Sequence, residues 1–275
     1  MYALDGHLHL RAVRATDGST VLSAQSFRAP FHLSKPSWDP AAQVLHVQVV
    51  NPTAGILEGD RLESAITAEA GAALLVTTPS ASRLFRMTEG GHATGRQHFA
   101  VARDATLEVF PEPIVPHRGS TYFQETTIES AAGSTLLFID QLMPGRLAHG
   151  EAWAWDRLVL GLTVRRGGEL LLRERFDQSG PSLRALSAFA GTGDAACFAN
   201  IVFLPPDDVA EPTWRAELAA LHREGVWLGI SRLRTQGWSL RIVSPDPLRL
   251  RDTLAELRAI LRKAYPRLGC GLRRP

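Results

Sequence analysis

The sequence is poor in cysteine and in lysine. Its 275 residues include only 2 cysteines, Cys197 and Cys270, which stand far apart and outside any Cys-x-x-Cys pattern. This spacing argues against a disulfide framework and against a structural zinc site, so we expect two reduced thiols. The positive charges are almost all arginine, because Lys35 and Lys263 are the only lysines. We interpret this bias as compositional.

Long apolar runs and a strong net charge are also missing. No stretch approaches the roughly 18 consecutive apolar residues that a membrane helix needs. The first residues lack a basic segment followed by an apolar run, so no signal peptide is indicated. The formal net charge is only +2, with 21% charged residues, which does not indicate nucleic acid as an obligatory partner. We expect a cytoplasmic protein with neither membrane nor nucleic acid as a partner.

The common catalytic motifs are absent as well. The sequence contains no Gly-x-x-x-x-Gly-Lys-Ser/Thr, no His-Glu-x-x-His and no Gly-x-Ser-x-Gly. It therefore lacks a P-loop for nucleotides and shows no nucleophile beside its base. A catalytic triad assembled from distant residues stays open. We expect a protein that is not an enzyme.

Most of the chain reads as short strands separated by turns. The alternation of apolar and polar residues and the turn signals between runs are typical of all-β architecture. A chain of this length, with 45% hydrophobic residues, can bury a core without metal or disulfides. The predicted strands cover residues 7–13, 44–50, 62–68, 72–78, 97–102, 105–110, 121–130, 134–141, 153–165, 169–176, 226–232 and 238–243.

Two helices are predicted, both late in the chain. The first covers residues 212–224 and places Trp214, Leu218 and Leu221 on one face. The second begins with Asp246 as N-cap and a proline in the first turn, and ends before Pro266. Its apolar stripe consists of Leu250, Leu254, Leu257 and Leu261.

We thus predict a mostly β fold: a many-stranded β-sheet with a β-helix-like or sandwich-like core and two late helices packed on it. The sequence shows no linker that forces a boundary, so we expect one domain over residues 1–275. Within it we distinguish a β-rich body (1–203), a helix-containing C-terminal portion (204–265) and a loose tail (266–275).

Three colinear segments carry a resemblance to a known family. They are residues 51–62 (NPTAGILEGDRL), residues 71–86 (GAALLVTTPSASRLFR), and residues 110–120 (FPEPIVPHRGS) followed by 136–146 (LLFIDQLMPGR) and Gly150-Glu151. In order and spacing they resemble the UreD family, also called UreH, of urease accessory proteins, over roughly residues 5–265. The sequence departs from the family pattern at Ala54 and Glu58, where glycine is usual, and at Pro79 and Phe85, where glutamine and tyrosine are common.

The resemblance implies a function in urease maturation. Members of the family bind the urease apoprotein and a second accessory protein, UreF, which in turn docks the GTPase UreG. The implied role is a metallochaperone scaffold that helps to deliver nickel to the urease active site, along an internal water-filled passage. No tightly bound cofactor is expected, only transient nickel. The alternatives are a stand-alone β-sandwich binding module for carbohydrate or peptide, and a hydrolase with an unrecognised site.

On this interpretation a passage should hold its cargo weakly. A complete His or Cys cage would trap nickel, whereas isolated carboxylates and hydroxyls release it. The candidates for such a passage are Asp60, Thr78, Asp140, His149, Glu151 and Glu174, with Arg86 and Arg146 as structural polar partners.

Each passage candidate also has a structural interpretation. Asp60 follows a glycine and could cap a turn through backbone N–H groups, and Thr78 could be ordinary strand filler. Asp140 interrupts the apolar run 136–139, where a carboxylate is costly unless it is hydrated or paired, for example with Arg86 or Arg146. Alternation places His149 and Glu151 near Arg146, which predicts a Glu151–Arg146 salt bridge. Glu174 could lie on the solvated face of a strand.

Trp153 and Trp155 fall on one face of a predicted strand by alternation. If that face were exposed, the two rings would be a candidate docking surface for a partner protein. The alternative is ordinary packing of both rings in the core.

Overall fold

The structure, a computed structural model, describes residues 3–189, 193–207 and 212–271. These residues form eighteen strands and three α-helices. The strands are β1 (Asp5–Arg14), β2 (Thr20–Arg28), β3 (His32–Leu33), β4 (Ser37–Asp39), β5 (Val44–Val50), β6 (Arg61–Ala68), β7 (Ala73–Thr77), β8 (Ser82–Leu84), β9 (Ala93–Val101), β10 (Thr106–Phe110), β11 (Ile114–Pro116), β12 (Thr121–Ser130), β13 (Thr135–Leu142), β14 (Arg157–Arg166), β15 (Glu169–Gln178), β16 (Cys197–Leu204), β17 (Trp227–Arg232) and β18 (Trp238–Ser244). The helices are α1 (Gly180–Phe189), α2 (Trp214–Ala219) and α3 (Pro247–Ala264).

The strands form two large sheets. The first sheet has the order β15-β14-β12-β9-β6-β1-β2, and the second has the main order β17-β18-β16-β13-β10-β7-β5-β3. From β5 to β14 the chain alternates between the sheets, and neighbours within this part of each sheet are parallel. Short strands β8 and β11 pair in parallel on a third side. The result is a solenoid-like stack, which confirms the mostly β, β-helix-like prediction.

Two of the sharp turns between the sheets have glycine in the left-handed region. Gly71 links β6 to β7 with φ +72°, and Gly133 links β12 to β13 with φ +76°. A side chain is strained in this left-handed region, whereas glycine is not. Both glycines belong to turn signals that the sequence had placed between strands.

The main core lies between the two sheets. Alternate residues of the first sheet, such as Leu8 and Leu10, meet Leu136 and Phe138 of the second sheet. The other face of the second sheet packs against α2 and α3. The middle of β13 is therefore buried on both faces, which explains its apolar run at residues 136–139.

Helix α3 confirms the predicted cap and stripe. The Asp246 carboxylate accepts a hydrogen bond from the Arg249 backbone N–H at 2.9 Å, and a proline occupies the first turn. The four predicted stripe leucines are all fully buried against the second sheet. Helix α2 is shorter than predicted: it ends at Ala219, and residues 220–224 lead into the turn before β17.

Several predicted elements differ from the structure. Strands β2 and β16 and helix α1 were not predicted. Strand β14 begins at Arg157, so the predicted strand start at residue 153 is wrong. Trp153 has φ +58° and lies in a turn, where no strand alternation applies. Both Trp153 and Trp155 are buried, with ring centroids 5.4 Å apart, so they pack in the core and offer no docking face.

The C-terminal segment also differs from the predicted loose tail. Leu268 and Cys270 are buried, and the Gly269 backbone N–H donates to the Glu108 carboxylate at 2.8 Å. Residues 272–275 of that predicted tail lie outside the described residues. The division at residues 203 and 265 stays a prediction, although β17 and β18 extend the same sheet as β16.

Candidate functional site

Two cavities lie between the sheets and share one wall. The first has a volume of about 130 Å³ and reaches from the end of β7 to β9, β12 and β13. The second has a volume of about 440 Å³ and lies between β13, β14, β15, β16 and β18. Asp140 and Gln141 line both cavities. The shared wall makes this pair of cavities the candidate site.

Asp140 reaches the cavities because of strand alternation. It follows Leu136 and Phe138 on the face of β13 that points between the sheets. Its side chain makes no hydrogen bond or ion pair with any residue in the described part of the chain. Burial raises the pKa of Asp140 from 3.8 to about 7. Asp140 is therefore close to half-ionised at neutral pH, and one more positive charge in the cavity would favour its carboxylate form.

Neither of the arginines expected to pair with Asp140 binds it in the described part of the chain. Arg146 binds Glu151 through two hydrogen bonds of 2.9 and 2.8 Å, which is the predicted salt bridge. Arg86 lines a separate pocket beside that pair. Of the two possibilities that the sequence left open for Asp140, pairing with Arg86 or Arg146 does not occur.

A row of polar side chains crosses the first cavity, and the sequence analysis missed it. On β12, the Tyr122 hydroxyl donates to Gln124 at 3.3 Å, and the Gln124 amide donates to Thr126 at 3.4 Å. Thr126 donates in turn to Gln97 of β9 at 3.1 Å. Burial, together with the negative charge of Asp140, raises the pKa of Tyr122. The sequence signal for this row was the spacing of Tyr122, Gln124 and Thr126, which stand at every second position of β12 and so share its inward face.

Thr78 lines the mouth of the first cavity. Its hydroxyl oxygen accepts a hydrogen bond from the Glu112 backbone N–H at 2.8 Å, which joins the ends of β7 and β10. The Thr78 hydroxyl group therefore stabilises the contact between these two strand ends and also lines the first cavity.

Glu174 lines the second cavity, on the opposite sheet from Asp140. Its carboxylate binds the guanidinium of Arg241 and lies 3.5 Å from the amide nitrogen of Asn200. Arg241 also donates to Asn200 and, at 2.9 Å, to Ser239. Glu174 is therefore half-buried and paired across the sheets. It does not lie on a freely solvated face.

Asp60 has a structural environment and lines neither cavity, although its negative charge contributes to the raised pKa of Tyr122 in the first cavity. It is only 1% exposed, and its two carboxylate oxygens accept backbone N–H groups from Leu4 and Leu57, both at 2.9 Å. These contacts close the turn before β6 and fix the start of β1. The structural interpretation of Asp60 fits this geometry.

His149 and Glu151 are separated from the cavities as well. His149 ends a short 3₁₀ turn, Leu147–His149, and is exposed. Hydrogen bonds from Arg146 lower the pKa of Glu151. Of the six predicted passage residues, the structure brings Thr78, Asp140 and Glu174 to the two cavities, and places the other three elsewhere.

The site offers oxygen ligands singly. Within residues 3–189, 193–207 and 212–271, no three His, Cys, Asp or Glu side chains are grouped so that they could hold a metal ion. Single carboxylates, hydroxyls and amides can replace part of the hydration shell of a divalent cation, with the remaining positions left to water. No helix in this part of the chain is long and apolar enough to cross a membrane.

Comparison with known proteins agrees with this architecture. The family described as UreD urease accessory protein matches residues 4–271. A urease accessory protein UreD from Opitutus terrae is 60% identical over 269 residues, which cover 98% of both chains. The corresponding protein from Acetivibrio thermocellus is 26% identical over 262 residues, covering 94% of this chain and 98% of the relative. A UreD protein from Deinococcus radiodurans is 32% identical over 215 residues, covering 74% and 76%.

Proposed function

Because this chain belongs to the UreD family of urease accessory proteins, and therefore has a role in urease maturation, we propose that it carries nickel through its own interior. In this proposal nickel is cargo, and it moves between the two sheets past Thr78, Asp140 and Glu174. The observation that carries the proposal is the Asp140 carboxylate, which is unpartnered in the described structure and lines both cavities.

The chemistry of Asp140 suits transient binding. Nickel stands high in the Irving–Williams order, so a site with several nitrogen or sulfur ligands would retain it. A single carboxylate with neutral oxygen neighbours binds a hydrated ion weakly. Since the pKa of Asp140 is raised to about 7, a proton competes with the metal near neutral pH and assists its release.

The proposal assigns the remaining steps to partner proteins. The chain has no P-loop motif, so nucleotide hydrolysis would belong to UreG, which binds through UreF. This chain would act without catalysis, as the scaffold that connects the urease apoprotein to UreF. Co-purification with urease subunits and UreF tests the scaffold role, and failure to co-purify when both partners are present would contradict it.

The conduit role is tested with Asp140→Asn. This substitution keeps the size of the side chain and removes the negative charge. We expect normal co-purification with the partners but several-fold less nickel in the urease that is produced, measured by metal analysis of the purified enzyme. The matched control is Asp156→Asn, since Asp156 is exposed just before β14 and lines neither cavity. Normal nickel content with Asp140→Asn, in an intact complex, would reject the conduit.

A further inference from the structure

A third pocket has a different chemistry from the two cavities between the sheets. It has a volume of about 280 Å³ and shares no lining residue with them. It lies on the third side of the stack, where the segments after β8 and β11 meet the loop before β14. Its lining residues are Phe85, Arg86, His117, Arg118, Arg146 and Glu151.

The charges around this pocket do not balance. Three arginines face one acid, and both oxygens of Glu151 are bound by Arg146. The Arg118 guanidinium donates to the Gly150 carbonyl at 3.4 Å, and the Arg118 backbone N–H donates to the Glu151 carboxylate. Arg86 has no hydrogen bond or ion pair within the described residues. Guanidinium groups gathered with so little counter-charge create a positive potential that attracts an anion.

A buried imidazole completes the wall. His117 is 4% exposed, and its Nε2 atom has no hydrogen-bond partner among the described protein groups. A buried nitrogen without a partner is unfavourable, because it has lost its hydrogen bonds to water without replacing them. The ring packs against Phe85 in a tilted arrangement, with centroids 4.8 Å apart, and the backbone N–H of His117 donates to the Leu84 carbonyl at 2.9 Å. The imidazole is therefore held in place beside the arginines.

Glycine lets the loop before β14 approach this wall. A Cβ atom at Gly145, which has φ +121°, would lie 2.5 Å from the Glu151 carbonyl oxygen and 2.9 Å from that of Pro116. Only glycine fits such an approach. This close backbone packing places the next residue, Arg146, at the pocket. The backbone conformation therefore fixes the position of this arginine in the cluster.

We propose that this pocket binds one small free oxyanion, of the size of phosphate or a monocarboxylate. The guanidinium groups of Arg86 and Arg118 would donate to its oxygens, as would the Nε2–H of His117. Guanidinium groups match the geometry of such anions and form strong charge-assisted hydrogen bonds. The volume holds an ion of this size with a few waters, but is below the usual range for larger ligands.

This site is independent of nickel transport, and its test uses the isolated full-length chain. Inorganic phosphate and, separately, acetate are titrated at constant ionic strength while the ring resonances of His117 are followed by NMR. We expect a saturable shift of these resonances at concentrations up to about 10 mM. Arg86→Gln should weaken binding about tenfold, because one charge-assisted contact is lost, and Arg118→Gln should also weaken it.

The matched control is Arg103→Gln, which removes another exposed arginine, in the turn between β9 and β10. Binding should be unchanged in this variant. The proposal is overturned if neither anion gives a saturable shift in the folded wild-type chain. It is equally overturned if Arg86→Gln and Arg103→Gln weaken binding to the same extent, since only a diffuse positive surface would then be involved.

Discussion

Asp140 combines two properties that usually exclude each other in a folded protein: burial raises the pKa of its carboxyl group, and its carboxylate has no described partner. Carboxylates in apolar surroundings are normally paired or removed. The sequence pointed to this residue because its charge interrupts an apolar strand. It could not show that the space beside the strand is a cavity, since that depends on contacts between residues far apart in the chain.

The raised pKa of Asp140 predicts a pH-dependent stability. The folded state holds the proton more tightly than the unfolded state, in which the pKa is near 3.8, so unfolding free energy falls as pH rises from about 4 to about 7. Asp140→Asn removes this dependence. From pH 5 to pH 8, wild type should lose roughly 2 kcal/mol relative to the variant. Urea denaturation at both pH values measures the difference, and parallel curves would show that Asp140 has an ordinary pKa.

Gly95 offers a test of the cavity that leaves every charge unchanged. A Cβ atom there would lie 2.1 Å from the Tyr122 hydroxyl oxygen, so Gly95→Ala must displace that ring within the first cavity. We expect reduced nickel content in the matured urease, with a loss of about 1–3 kcal/mol in stability from overpacking. Gly229→Ala is the control, because its added Cβ meets no atom within 4 Å. Unchanged nickel content in Gly95→Ala would count against the first cavity as part of the route.

Asp60 and Asp140 should respond differently to substitution. Asp60→Ala leaves two partly buried backbone N–H groups, those of Leu4 and Leu57, without their acceptor. We expect a loss of about 2–4 kcal/mol in unfolding free energy, seen as a lower melting temperature. A stable Asp60→Ala variant with defective nickel loading would instead place Asp60 on the route.

At the scale of elements, α3 is joined to the sheet by a buried ion pair. Arg258 of α3 donates to Glu108 of β10 at 2.5 Å, and the same carboxylate accepts the Gly269 backbone N–H. Both side chains of the pair are at most 8% exposed. One carboxylate therefore holds a strand, a helix and the C-terminal segment together.

Removing that carboxylate should be costly. Glu108→Gln leaves the Arg258 guanidinium buried without its counter-charge, so we expect a loss of about 3–5 kcal/mol in urea denaturation. The control is Glu217→Gln. Glu217 of α2 is the exposed partner of Lys263, which lies on α3 as Arg258 does, and its substitution should change stability by less than about 1 kcal/mol. Equal effects of the two substitutions would contradict a special role for the buried pair.

Local patterns identified elements that carry their own periodicity or cap. Strand β5, strand β12 and helix α3 were predicted with correct or nearly correct bounds, because alternation, turn residues and the Asp246 cap act over short distances. The predicted strand start at Trp153 was wrong because a left-handed turn interrupts the alternation. Strand β16 was missed since its sequence, apolar apart from Asn200, has no period of two, which is typical of a strand buried on both faces.

The whole molecule is a stack in which successive strands alternate between two sheets, and this arrangement creates the space for the site. Inward positions at one end of the stack carry Tyr122, Gln124 and Asp140 in place of apolar residues. The sequence indicated a β-helix-like or sandwich-like core, but it could not show which inward positions face one another. Those facing positions follow from the register between neighbouring strands, which is parallel for β12 and β14 but antiparallel for β14 and β15. This register brings Asp140 and Glu174 to one cavity.

The most direct test of the conduit is a crystal of this chain soaked in a nickel salt and measured at the nickel absorption edge. We predict an anomalous peak between the sheets, in contact with the Asp140 carboxylate, that disappears in Asp140→Asn. Peaks confined to surface histidines such as His7 and His9, with none between the sheets, would contradict the account.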